Sequence, residues 1–244
     1  KLKPLHTVAL LALLIVVDLW SIDKRYLNSS HFVSKSQFRN AFAERPVDKY
    51  ILQDKDPDYR VLDLSVNTFN DSYVSYHHKT IGGYSPAKMQ RYQDLIDHCI
   101  TPEISSIAAN LKSATDLESA AEAIGYQPVL NMLNTRYIVI NEQYPPLLNK
   151  GALGNAWFVR ESREARNADE EMALLKEIDP AQCAVLSKEF YKELPLGGTD
   201  SAATIALDYY SPNRLIYNYS SSVPQMALFS EVYYAPGWRA YLQP

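Results

Sequence analysis

The stretch Lys1-Leu2-Lys3-Pro4-Leu5-His6-Thr7-Val8-Ala9-Leu10-Leu11-Ala12-Leu13-Leu14-Ile15-Val16-Val17-Asp18-Leu19-Trp20 decides how this chain is read. Its apolar run is unbroken from Val8 to Val17, and a helix from Leu5 to Ile22 rises about 27 Å, close to the ~30 Å hydrocarbon layer of a bilayer. The expectation is a membrane helix. Lys1 and Lys3 before it and Trp20 at its end place Lys1 inside and the residues after Asp18 outside, while Lys24 and Arg25 pull the other way. A secretory signal peptide is the rival reading, but Ser21-Ile22-Asp23-Lys24-Arg25-Tyr26 contains no small-residue cleavage site. A buried helix of a soluble protein is the third. With no initiator methionine, the chain reads as a piece cut from a longer membrane protein.

Working outward, 244 residues with 47% hydrophobic content supply an ordinary core, so disorder is not expected. A net charge of −4, from 24 basic and 28 acidic residues, gives no field to hold a polyanion, which excludes nucleic acid as an expected partner. Eighteen tyrosines against seven phenylalanines suit strands and surfaces where a ring packs and its hydroxyl stays wet. Cys99 and Cys183 have no partner at metal spacing and read as small buried hydrophobes.

The remainder reads as mixed helix and strand. Pro46 to Gln53 suggests a short helix, and Tyr59 to Leu64 alternates as a strand. Asp54, Asp56 and Asp58 between them fail as a calcium loop, because Tyr59 stands where glycine and Ser65 where glutamate is needed. A solvated turn is expected instead. Ser85 as cap, Pro86 in the first turn, and Met89, Tyr92, Ile96 and Cys99 at helical spacing predict a helix start. Thr101 with Pro102 opens a second helix, and Thr115 with Glu118 forms a capping box for a third, ended by Gly125. Leu130 to Leu133 continues this helical layer before a strand at Thr135 to Ile140. After a loop from Asn141 to Asn155 come a strand at Ala156 to Val159, a helix capped at Asn167, and a strand at Cys183 to Leu186. Pro195 to Ser201 is the expected boundary before an antiparallel meander at Thr204 to Tyr210, Arg214 to Tyr219 and Met226 to Tyr234. The fold class is therefore α+β: a membrane helix and its exit over 1–26, an α+β domain over 27–198, and antiparallel, sandwich-like strands over 199–244.

Several segments together resemble the YfhO family of bacterial polytopic membrane proteins. They are Asp18-Leu19-Trp20 with Lys24-Arg25-Tyr26-Leu27, Tyr59 to Leu62, Tyr76 to Tyr84 with Arg91-Tyr92, Leu130 to Tyr137, Ala152 to Val159, Tyr210-Ser211-Pro212-Asn213, and Tyr233 to Tyr241 around Pro236-Gly237-Trp238. The resemblance implies a multi-pass cell-membrane protein similar to type C glycosyltransferases, which take sugar from a polyprenyl-phosphate donor to modify a cell-envelope glycan or lipid. This chain would be its late extracytoplasmic region, touching membrane lipid and the rest of the parent protein. The catalytic acid would precede Lys1 and further strands would follow Tyr241, so no catalytic residue is assigned here. The alternative is a noncatalytic glycan- or protein-binding structural module.

Transfer from such a donor needs cations or backbone N–H groups at the departing phosphate. Gly82, Gly83 and Tyr84 lead into the expected helix start, with Lys79, Lys88 and Arg91 adding charge and His77 and His78 nearby, so this loop is the candidate phosphate or glycan site. A glycine turn before an ordinary capped helix is the plainer account. His77 and His78, adjacent on a strand, would face opposite ways and make no metal site. Tyr209, Tyr210, Tyr217, Tyr219, Tyr233, Tyr234, Trp238 and Tyr241 suit either saccharide stacking or sheet packing, with packing favoured. No nucleophile elbow, P-loop or dinucleotide fingerprint occurs, so no cofactor is expected. Sequons at Asn28, Asn70 and Asn218 are short enough to arise by chance.

Overall fold

Pro4 at the first helical position and an apolar sequence free of glycine produce a single long helix, α1 (Pro4–Tyr26), in the computed structural model, which describes residues 3–191 and 200–242. Lys24 and Arg25 in its last turn complement the unpaired carbonyls there. None of its residues is buried, and it is long and apolar enough to cross a membrane. A 3-10 turn at Ser29–His31 follows, and then α2 (Lys35–Ala41), opened by a capping box in which Ser34 and Gln37 satisfy each other's backbone N–H. These elements form one compact unit, residues 1–43; residues 44–244 form the other.

The second unit begins with α3 (Pro46–Ile51), β1 (Arg60–Asp63) and α4 (Val74–His77). Then α5 (Gln90–Leu95) runs through a π turn at Ile96–Ile100 into α6 (Thr101–Asn110), followed by α7 (Leu117–Glu122) and α8 (Pro128–Met132). Strands β2 (Thr135–Val139), β3 (Leu147–Leu148), β4 (Ala156–Val159) and β5 (Glu161–Ala165) precede α9 (Ala168–Glu177) and β6 (Cys183–Ser187). The chain ends on β7 (Thr204–Ser211), β8 (Arg214–Ser220) and β9 (Met226–Phe229).

The α+β class is as expected. β2 is the centre of a three-stranded sheet, parallel to β1 and antiparallel to β3. Successive side chains of a strand point to opposite faces, and β1 uses both faces for core. Leu62 joins Ile81, Ile100, Leu130 and Ile138 on the face covered by α5 to α8, whereas Val61 joins Val47, Ile51, Val74 and Val139 on the face covered by α3 and α4. β5 and β6 pair in parallel across α9, a crossover that a parallel pair requires. Cys99 and Cys183 are both buried and free, as read from the sequence.

Several local expectations are corrected. The helix expected at Ser85 starts at Gln90, because Tyr84 to Ala87 are exposed and bury little surface to offset the cost of a first turn. Thr101 and Pro102 open α6 as expected, but no loop separates it from the helix before it. The chain passes into α6 through the π turn, where the Thr101 N–H reaches back to the Ile96 carbonyl beside a proline that lacks its own donor. The capping box lies one residue later than expected, with Asp116 and Ser119 in place of Thr115 and Glu118; the Asp116 carboxylate accepts from the Ser119 N–H at 2.8 Å.

The last three strands are not a meander. β7 and β8 form a hairpin, but β9 pairs antiparallel with β4, register Trp157 to Leu228, and ends at Phe229 rather than Tyr234. Tyr217 of β8 packs edge-on against Phe229 at 4.9 Å, so the hairpin lies against the β4–β9 pair. Most of the boundary read at Pro195 to Ser201 lies outside the described residues.

Candidate functional site

The loop between α4 and α5 is built by its glycines. Gly83 has φ of 99°, a left-handed conformation that favours glycine, and a Cβ on Gly82 would run into the Thr68 backbone carbonyl. The Gly82 N–H donates to Thr80 Oγ1 at 3.1 Å and the Gly83 N–H to the Thr68 carbonyl at 2.7 Å. Both amides are spent inside the protein, and no helix begins at Ser85, so the expected anion nest is not formed. The glycines instead let the chain close around a pocket of about 390 Å³, lined by Gly82, Gly83, Tyr84 and Lys88 with Arg60, Thr80 and Tyr92 among its other walls.

The remaining candidates stand apart from this pocket. His78 is buried, its Nε2 3.0 Å from Asp48 Oδ1, and His77 closes α4 rather than sitting on a strand. Lys79 pairs with Asp58 and stands 3.3 Å over the Tyr210 ring. Arg91 is exposed on α5.

Arg60, absent from the sequence reading as a site residue, is the pocket's fixed cation. Its Nη1 donates to the Leu133 and Ser230 carbonyls at 2.9 and 2.7 Å, and its Nη2 lies 3.4 Å from Glu231 Oε2. No described residue bonds its Nε–H or its second Nη2 hydrogen, which leaves donors for an anionic or hydroxyl ligand. Among the described residues Lys88 reaches Gln93 Oε1, at 3.3 Å, and stands 5.7 Å over the Phe69 ring. Tyr92 donates to the Ile81 carbonyl at 2.6 Å, and burial pushes its hydroxyl up to about 12, so it remains neutral.

Three ionic knots lie beyond the pocket lining. Asp48 accepts from the Arg45 backbone and Nε at 2.9 Å each and from Tyr73 at 3.2 Å, besides its contact with His78, and Arg45 also reaches Asp63 at 2.7 Å. Asp54 and Asp56 clamp Arg136, with Tyr137 donating to Asp54 at 2.9 Å. That acidic run is therefore not the solvated turn expected of it. Asp58, 2% exposed, receives Lys79 and Asn155. Burial alone would raise Asp58, but those two hydrogen bonds hold it below its ordinary value. Among the described residues no three His, Cys, Asp or Glu side chains stand close enough to hold a metal ion.

Glu231 closes the Asp58 knot from beyond β9. Burial, and then the Asp58 carboxylate, push it above its ordinary 4.5 despite Arg60. The folded state thus binds a proton the unfolded chain releases, so Glu231 costs stability as pH rises from about 4.5 toward its raised value. Glu231→Gln is expected to remove that loss, and urea melts across this pH range check it by a flatter stability profile.

The aromatic residues of the last strands divide. Tyr210 lies under Lys79 and Tyr217 packs on Phe229, whereas Tyr209, Tyr219, Tyr233, Tyr234, Trp238 and Tyr241 are exposed. No family model, curated protein or solved structure matches the chain.

Proposed function

We propose that this chain is the extracytoplasmic accessory region of a multi-pass, glycosyltransferase-like membrane protein that uses a polyprenyl-phosphate sugar donor for cell-envelope glycosylation. In this reading α1 is one span, residues after Asp18 lie outside, and the pocket meets a lipid phosphate or a glycan. The observation that carries it is a pocket combining Arg60, Lys88 and two tyrosines in a chain that also has a membrane-length apolar helix. The buried aspartates support the accessory reading. Among the described residues the fully buried ones, Asp48, Asp58 and Asp63, are each tied to a cation, and none is free to deprotonate an acceptor hydroxyl.

The test uses the full-length membrane protein. Lys88→Gln and Tyr84→Ala alter the pocket without opening the core, since Tyr84 is exposed and Lys88 half-buried. Loss of one charge-assisted contact is worth about 1.5–3 kcal/mol, so donor or glycan binding is expected to weaken about tenfold to a hundredfold. Unchanged transfer together with unchanged donor and glycan affinity would overturn the reading.

A further inference from the structure

Arg60 is shared between the pocket, which it lines, and Glu231, which stands outside the lining. Its Nη1 is spent on the Leu133 and Ser230 carbonyls and its Nη2 lies 3.4 Å from Glu231 Oε2, while no described residue takes its remaining donors. The Arg60 and Glu231 side chains are only 12% and 22% exposed, so solvent and salt screen this pair weakly. Glu231 is faced by Arg60 from β1, by Asp58 from the residues before β1, by Lys79 from those after α4, and by Tyr217 from β8. The Tyr217 hydroxyl is buried with no partner among the described residues. Lys79 Nζ at 2.5 Å and Asn155 Nδ2 at 2.9 Å keep Asp58 ionised. A second ionised carboxylate beside it is opposed, and a proton on Glu231 is hydrogen-bonded to Asp58. Glu231 therefore has two arrangements: ionised and paired with Arg60, or protonated and bonded to Asp58.

We infer that the pocket is an oxyanion site in which a phosphate group replaces Glu231 as the counter-ion of Arg60, and Glu231 takes up a proton as the anion binds. The inference rests on the phosphate reading of the pocket given above and narrows it, because a neutral glycan brings no charge to displace Glu231. An anion on the spare Arg60 donors, with Lys88 on the same lining, adds negative charge near Glu231 and favours its neutral form. The coupling is reciprocal, so a proton on Glu231 strengthens anion binding by the factor with which the anion strengthens proton binding. Affinity is highest while Glu231 is protonated and falls as pH rises through its raised value.

The experiment titrates sulfate, a dianion whose own charge stays constant over the range, into the whole chain held in phosphatidylcholine nanodiscs. Isothermal calorimetry from acid to mildly alkaline pH, in buffers of different ionisation heat, gives the affinity and the protons taken up. Wild type is expected to bind about tenfold more weakly once Glu231 is ionised, and to take up protons as sulfate binds. Glu231→Gln, permanently neutral, should bind at every pH as tightly as wild type does in acid, with no proton uptake. Phosphatidic acid added to the bilayer separates the sources. Sulfate displaced by it assigns the site to a lipid phosphate, sulfate retained assigns it to a soluble one, and either result with proton uptake supports the inference. A pH dependence that survives Glu231→Gln overturns the inference, as does sulfate binding without proton uptake; the phosphate reading of the pocket then stands. No sulfate bound at any pH overturns both.

Discussion

Asp48→Ala is expected to lower the unfolding free energy by about 3–5 kcal/mol, the usual cost of removing one member of a buried ion pair. The carboxylate is fully buried and accepts from Arg45, Tyr73 and His78, so its loss leaves several donors inside the protein without an acceptor. Arg45 would keep Asp63, which sets the upper bound. Burial alone would raise Asp48, but the hydrogen bonds from His78 and Arg45 outweigh it and hold the carboxyl below the ordinary carboxylate range. The stabilisation is therefore complete above the ordinary aspartate value and fades as pH falls below it. Wild type and variant stability curves from urea titration should differ widely at neutral pH and converge in acid. A variant as stable as wild type at pH 7 would contradict this account of the knot.

Leu62→Ala carries the second large effect, about 2–5 kcal/mol, because a cavity opens where the surroundings cannot collapse. Leu62 has no exposed surface and lies in the middle of β1, between the helical layer and β2. The same strand presents Arg60 to the pocket and Asp63 to Arg45, so slackening it reaches both. A melt should show the loss, and ligand binding at the pocket should weaken with it. Val61→Ala, on the opposite face, is expected to cost less because fewer atoms are removed.

What the sequence disclosed depended on how local the cause was. The strands at Ala156–Val159 and Thr135–Val139 and the helix capped at Asn167 were legible because their signals, β-branched or aromatic runs and a side-chain cap, lie within the element. The helix expected at Ser85 had the right cap and proline but little to bury in its first turn. That property belongs to the neighbours, not the segment. Arg60 shows the same limit, for its carbonyl partners lie 73 and 170 residues away. The acids at 54, 56 and 58 read as a turn, since nothing local announces Arg136, Lys79 or Asn155. Gly82 and Gly83 did mark the pocket, although through backbone shape rather than through the free N–H groups expected of them.

The account depends most on α1 crossing a membrane with residues 44–244 outside. Both cysteines of this chain are buried, so Lys112→Cys, on the exposed turn after α6, supplies the reporter in a full-length protein whose cysteines outside this chain have been replaced by serine. Intact cells are treated with a membrane-impermeant maleimide, and membranes are then washed in alkaline carbonate. Labelling of intact cells equal to that after lysis, with the protein retained in the carbonate-washed membranes, is the predicted result. Labelling that appears only after lysis, or release of the protein by carbonate, would contradict it.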